Sequence, residues 1–405
     1  MRATRVVVLG AGIVGAACAR ELALAGCAVT VLERGGPAAA TTAHGEGNVL
    51  VSDKGPGPEL ELARLSRRLW PEVLAETSDL SGASGAPEAA RAAEWDPKGG
   101  IVVATTEDGA RELERFAASQ REAGVRAEPL DAAALAEAEP HLTRDVTAAV
   151  AYPEDAQVQP TGAATVLLAD ALRAGAVLRT GCEVLSAVAR GGRITGVRTS
   201  LGLVEGEAFV DAAGPWAGEL SARLGAPVAV RPRRGEVLVT APMPPTVFHK
   251  VYDADYVGAV GSGAGDLQAS AVVESARAGT ILLGSSRRRV GFDDRLRPEV
   301  LSVVARKALR LFPGLSGVPV MRAYGGFRPY VDDHLPVIGA DPRLPGLWHA
   351  TGHEGAGIGL SVGTGRLLAD LFLGRAPAMD PGPFRVDRPA VLAASGPRVP
   401  EGEIG

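Results

Sequence analysis

Val6-Val7-Val8-Leu9-Gly10-Ala11-Gly12-Ile13-Val14-Gly15 stands near the start of the chain, and Ala28-Val29-Thr30-Val31-Leu32-Glu33-Arg34 follows after one helix length. The first stretch is an apolar run that breaks into the spacing G-x-G-x-x-G. Ala16 to Ala25 has helical character, and Gly26 closes it. The second stretch is apolar again and ends in an acid. The pattern predicts strand, tight turn, helix, strand and carboxylate, in that order. Gly10 permits the sharp turn, Gly12 leaves the backbone open to a pyrophosphate, and Gly15 lets the helix pack closely on the strand. With Ile13 and Val14 in that turn, the helix N-terminus offers free N–H groups to phosphates. Glu33 lies about 20 residues past the glycines, where a carboxylate accepts hydrogen bonds from a ribose 2′-hydroxyl. Two other readings compete. One is a glycine-rich turn in an ordinary βαβ unit. The other is a secretory signal, since Arg2 and Arg5 precede an apolar stretch ending near Ala17-Cys18-Ala19. Cleavage there would destroy the βαβ unit, and the glycines fall at turn spacing, so the signal is set aside.

A chain of 405 residues is long for one core and predicts two domains. Hydrophobic residues at 46% and charged residues at 22% place it among globular proteins. A net charge of −5 points to no nucleic-acid partner and no polybasic membrane patch. No apolar run reaches the length of a membrane span. Cys18, Cys27 and Cys182 are scattered and form no C-x-x-C, so no metal site is expected, and a cytoplasmic protein fits.

Along the chain, Pro37 to Gly47 reads as a flexible small-residue loop leaving the second strand, where ligands of dinucleotide folds bind. Pro58 to Ala75 has helical spacing, and Ser78 to Ala93 reads as a loop or short, weak helix. Ile101 to Thr105 predicts a strand, and Glu107 to Gly124, Asp131 to Glu139 and Pro160 to Gly175 predict helices. Val184 to Ala189 and Ile194 to Thr199 flank a hairpin turn, and Phe209 to Gly214 fits a return to the parallel sheet. The apolar run Val237 to Val239, with Val251 to Val260, Ala269 to Val273 and Thr280 to Ser285, predicts a second, largely antiparallel sheet. Leu347 to Ala350, the glycine-rich Thr351 to Gly359 and a helix from Leu360 to Phe372 repeat the anion-binding layout.

Three blocks together resemble the D-amino-acid-oxidase-type family of FAD-dependent oxidoreductases: Val6 to Arg34, Asp211 to Ala217, and Gly326-Phe327-Arg328-Pro329 through Gly352-His353 to Gly359. That family includes glycine oxidase, sarcosine oxidase, D-amino-acid dehydrogenases and beta-type subunits of opine, cyanide-forming and hydroxyproline dehydrogenases. The resemblance implies an α/β fold: a Rossmann-like FAD-binding domain with a mostly antiparallel α+β substrate domain inserted discontinuously. Residues 1–75, 150–225 and 328–389 are then expected to form the FAD-binding domain, 76–149 and 226–327 the substrate domain, and 390–405 a flexible tail.

The implied cofactor is FAD. Gly10, Gly12, Gly15, Glu33 and Arg34 match the ADP-binding positions, and Thr42, Ala43, His44, Gly47 and Asn48 match the tract that passes the flavin. Val184, Ala213, Gly214 and Trp216 fall on the adenine side. Gly326, with Gly352, His353, Gly355, Ala356, Gly357, Ile358 and Gly359, matches the part that covers the ring. A helix N-terminus there favours negative charge on the reduced flavin. The FAD is expected to be non-covalent, with a link at His44 as the alternative, because some relatives carry a flavin-linked histidine in this tract.

Arg328 matches the arginine that holds a substrate carboxylate, and a guanidinium fork suits that task on physical grounds alone. A structural ion pair is the rival reading. Glu354 stands where some oxidases of the family carry a second arginine, and it pairs with a substrate amine or shapes the pocket. Tyr252 and Tyr256 are candidates to support the carboxylate, against plain packing on the sheet. The implied activity is oxidation of the C–N bond of a small amino or imino acid by hydride transfer to the flavin. Oxygen or a redox partner would accept the electrons, in a homo- or hetero-oligomer. The alternatives are an electron-relaying subunit and a nicotinamide-dependent dehydrogenase.

Overall fold

The computed structural model describes residues 3–79, 88–260, 263 and 265–392. The opening fingerprint folds as strand Arg5–Leu9, helix Ile13–Leu24 and strand Ala28–Leu32, with the two strands parallel and in register from Arg5↔Ala28 to Leu9↔Leu32. The helix begins three residues before Ala16, so Gly15 lies inside it. These strands sit at the centre of a six-stranded sheet in the order 337–340, 347–351, 208–211, 5–9, 28–32, 177–179. Every neighbouring pair is parallel except the antiparallel pair at the 337–340 edge.

The unbroken Val6-Val7-Val8-Leu9 run has a physical cause, because both faces of the strand are covered. Val6 and Val8 pack among Ala16, Ala19 and Leu22 of the first helix. Val7 and Leu9 face Ile194, Val197 and Phe209 on the other side. Ile194 and Val197 come from a separate three-stranded antiparallel sheet, Val184–Arg190, Arg193–Thr199 and Gly202–Glu205. On the first face, helix Ile13–Leu24 packs between helices Gly357–Phe372 and Pro160–Arg173. A Cβ on Gly365 would fall 2.8 Å from the Ala17 backbone, so the glycine sets how closely two of these helices approach.

The second sheet has eight strands in the order 320–330, 231–240, 281–287, 268–275, 250–253, 100–104, 148–152, 128–129. It is antiparallel except between 250–253 and 100–104. Helix Pro298–Leu311 covers one face, where Val304, Ala308 and Leu311 meet Val251, Val273 and Leu283. Strands 148–152 and 320–330 belong whole to this sheet, so the chain crosses between the sheets after Tyr152 and Tyr330 rather than at 150 and 328.

Several local expectations are corrected. Val251 to Val260 is not one strand: Lys250–Asp253 is a strand, and Asp255–Val260 is a short helix that opens on an acid. The strand holding Val237 to Val239 runs from Arg231 to Thr240 through a polar segment. The Thr41–His44 segment is an ordered 3₁₀ turn rather than a flexible loop. The last long helix starts at Gly357, three residues before Leu360. Residues 80–87 of the expected loop lie outside the described residues, and Glu88–Ala92 is helical. The expected tail begins late: Pro389–Leu392 is a helical turn with Val391 buried beside Val228 and Val386, and 393–405 lie outside the described residues.

Candidate active site

The carboxyl ends of strands Arg5–Leu9 and Ala28–Leu32 open on a long cleft whose walls come from both large sheets.

At the fingerprint, Gly10 has φ 115°, and a Cβ on it would lie 2.7 Å from the Ala212 carbonyl oxygen, so only glycine fits. Glu33 is held at both oxygens: Ala11 N–H donates to Oε2 at 2.9 Å and Gly35 N–H to Oε1 at 2.8 Å. Ile13 N–H donates to Thr42 Oγ1 at 3.1 Å. Gly12 is the helix N-cap, with no side chain to cap it and no acid in the first turn. The positive end of the helix is therefore left for the cleft. The Arg34 guanidinium lies 4.3 Å over the Trp216 ring, which stacks on Phe292.

Across the cleft, Thr41 Oγ1 donates to the Phe327 carbonyl at 2.8 Å, tying the 3₁₀ turn to strand 320–330. His44 Nδ1 lies 2.7 Å from the Ala40 carbonyl and acts as the donor, and its ring meets Tyr324 edge-on. Arg328 comes from the same strand. Its Nη1 donates to the Ser286 carbonyl at 2.8 Å, and burial together with Arg287 pulls the guanidinium down to about 10. It stays charged at neutral pH. A Cβ on Gly235, the residue paired with Gly326, would lie 2.2 Å from that Nη1.

Glu354 lines the cleft but is engaged, accepting from Arg233 and from His334 Nδ1 at 3.0 Å. Burial pushes its carboxyl up, and the His334 and Arg233 contacts outweigh that and hold it low. Tyr256 also lines the cleft, with the Arg287 guanidinium 4.6 Å over its ring. Tyr252 does not. Its hydroxyl donates to Ser52 Oγ at 2.6 Å, inside a buried chain that ends on Asp155. His353 is buried, 2.9 Å from Thr364 Oγ1, and burial pulls it down to about 3, so it is neutral. Gly357 opens a second helix with no side-chain cap and no acid in its first turn.

Gly12, Ile13, Val14, Glu33, Arg34, Thr42, His44, Asn48, Val184, Ala213, Gly214, Trp216, Gly326, His353, Gly355, Gly357 and Ile358 all line the cleft. Gly15, Ala43, Gly47, Gly352, Ala356 and Gly359 do not. Gly47 is a packing position, since a Cβ there would lie 1.7 Å from the Val158 carbonyl oxygen. Among the described residues no cluster of His, Cys, Asp or Glu is arranged for a metal ion, and no helix is long and apolar enough to cross a membrane.

Residues 5–371 match the family of FAD dependent oxidoreductases named DAO. The chain belongs to this family. It is 32% identical over 374 residues to the bifunctional protein ThiO/ThiG of Nostoc sp. (strain PCC 7120), covering 91% of this chain and 52% of that protein. It thus spans about half the length of the first curated relatives it matches. It is also 32% identical over 392 residues to a glycine oxidase of Geobacillus kaustophilus, covering 95% of this chain and 96% of that one. The crystal structure of glycine oxidase from Geobacillus kaustophilus superposes with a TM-score of 0.84 at 28% identity, covering 95% of this chain and 99% of that one.

The cleft of this DAO-family chain fits FAD on its own observations. Two helix N-termini lack side-chain caps, a glycine turn admits no Cβ, and an oriented carboxylate stands at the end of the second strand. Sequence reasoning missed Glu46, which also lines the cleft. It sat unremarked within the Thr41 to Gly47 tract, and nothing local to it signals a role.

Proposed function

We propose that the chain oxidises the C–N bond of a small amino or imino acid, with FAD as its cofactor and oxygen or a redox partner as the electron acceptor. One observation carries the reading. The half-buried guanidinium of Arg328 stands in the wall of the same cleft as the dinucleotide fingerprint. Its Nη1 is anchored on Ser286, which leaves the rest of the fork for a carboxylate. The glycine oxidase relatives support an amino-acid substrate.

In this reading Gly12, Ile13 and Glu33 would hold the pyrophosphate and ribose, Arg34 and Trp216 would wall the adenosine side, and the uncapped Gly357 helix end would favour negative charge on the reduced cofactor. Bound FAD supplies the hydride acceptor and the return path for electrons. The protein supplies orientation: a carboxylate fixed at Arg328 gives the α-carbon one orientation rather than many. Glu354 is committed to Arg233 and His334, so it shapes the wall and leaves the amine to another group. Tyr256 is placed to touch the substrate, and Tyr252 is not.

The test is anaerobic bleaching of the purified yellow protein with glycine, sarcosine, proline, hydroxyproline and D- and L-amino acids. Bleaching by at least one of these acids, and by none of the corresponding amines without a carboxylate, supports the reading. A colourless protein that takes up no FAD overturns it.

A further inference from the structure

Glu46 is the one carboxylate at the cleft, among the described residues, with a buried oxygen that has no partner. Its side chain is 7% exposed. Oε2 is fixed, accepting from Asn48 Nδ2 at 3.1 Å and lying 3.7 Å from Lys250 Nζ. Oε1 is buried without any hydrogen-bond partner. Leaving such an oxygen unmet is costly, so an acceptor placed this way points to a donor that arrives with a ligand.

The charge count agrees. Lys250 is buried between two carboxylates, Glu274 at 2.6 Å and Glu46. Burial pulls its ammonium down, and Glu274 and Glu46 outweigh that and keep it protonated. Among the described residues Lys250 is the cation within ion-pair reach of Glu46, and Glu46 shares it with Glu274, which stands closer.

The position fits a particular ligand. Glu46 Oε1 lies over Gly284, where a Cβ would fall 1.9 Å from it. Arg328 Nη1 meets Ser286 on the same strand, Ile281–Arg287. The two groups thus stand over the same short stretch of strand, two residues apart, and an α-amino acid bridges them with its carboxylate at one and its nitrogen at the other.

We propose that Glu46 Oε1 receives the substrate's ammonium while Arg328 receives its carboxylate, so that the cleft selects zwitterionic amino acids over plain acids and plain amines. The proposal rests on the amino-acid reading above and names the group that Glu354, already paired, does not supply.

Glu46→Gln in the FAD-loaded protein tests it. Two unreactive probes separate the ends of the substrate: 2-aminoisobutyrate, which has an ammonium but no α C–H, and isobutyrate, which lacks the amine. Their Kd values are read from the change in the flavin spectrum, beside the KM of whichever amino acid bleaches the wild type. The variant is expected to stay yellow, to bind 2-aminoisobutyrate about 10- to 100-fold more weakly, with KM rising alike, and to bind isobutyrate equally or more tightly. Unchanged Kd and KM for the amine-bearing compounds overturn the proposal, and so does an equal loss for both probes. If the variant loses its flavin, Gly284→Ala takes its place, because the new Cβ occupies the position of Oε1, and the same amine-selective loss is expected. A wild type that binds neither probe and is bleached by no amino acid refutes the parent reading instead.

Discussion

Arg328→Lys keeps a positive charge at the end of a long side chain and removes the fork. A lysine offers one bond where the guanidinium offers two parallel ones, which costs about 1.5–3 kcal/mol, or roughly 10- to 150-fold in affinity for a carboxylate. The surroundings add a second, pH-dependent effect. Burial and Arg287 pull the guanidinium well below its ordinary value, to about 10, so the wild type stays charged through pH 9. The same surroundings acting on an ammonium that starts near 10.4 would bring it to about 8. The variant should therefore lose its charge, and with it roughly another factor of ten in affinity, for each pH unit above about 8. Isobutyrate is the right probe, because it has no amine of its own to titrate in that range. Its Kd, measured spectrally from pH 6.5 to 9.5, should be nearly flat for wild type and climb above pH 8 for the variant. Parallel curves, or an unchanged Kd at pH 7, would show that Arg328 does not hold the acid and would leave it a structural cation.

Gly15→Ala would put a Cβ 2.0 Å from the Gly10 carbonyl oxygen, forcing the first helix off the turn; flavin content after gel filtration should fall sharply, and an unchanged absorbance ratio would remove the turn from cofactor binding. His349 is buried between Asp211 and Asp341; burial pulls it down, and the two carboxylates outweigh that and hold it above 6.5. Its stabilisation is full below about pH 6.5 and fades as pH rises through the folded value, so the Tm gap between wild type and His349→Asn should be wide at pH 5.5 and narrower at pH 9. Asp341 works in the opposite sense: burial pushes it up, but His349 and Arg343 hold it well below the usual range, so its contribution is present above about pH 4 and lost in acid. Acid precipitation of the holoprotein should release the yellow colour to the supernatant; colour kept in the pellet would establish a covalent link, with His44 the first residue to replace.

The parts legible in the sequence are those whose physics is local. A glycine turn, its helix and its acid lie within thirty residues, and the double burial of one strand writes itself as Val6-Val7-Val8-Leu9. Other parts depend on pairings the chain order hides. Arg233-Arg234-Gly235-Glu236 reads as a polar break, yet it is strand interior, because Arg233 meets Glu354 and Glu236 meets Arg288 from distant segments. Tyr252 and Tyr256 look alike in sequence. One lies on a strand with its hydroxyl on Ser52, and the other on a helical turn at the cleft, a break that the valines around them disguise. Glu46 has its free oxygen only because Gly284, far along the chain, leaves room above the second sheet.

That last case extends to the floor of the whole site. Gly235 makes room for Arg328, Gly284 for Glu46 and Gly326 for His44; a Cβ at any of the three would come within 2.8 Å of the side chain above it. Glycine weakens a strand interior, since it orders more backbone and packs nothing. Three such positions, one on each of the neighbouring strands 281–287, 231–240 and 320–330, are therefore a stability cost set against a specific gain. The gain is that polar side chains lie flat on the sheet instead of standing off it, which shields them from water and leaves the cleft open above them. In those surroundings a guanidinium and a carboxylate interact with a ligand more strongly than they would in solvent. Substituting Ala at Gly235 or Gly284 should thus impair ligand binding more than it impairs folding. If both variants lost stability and kept their affinity, the glycines would be serving the sheet and not the site.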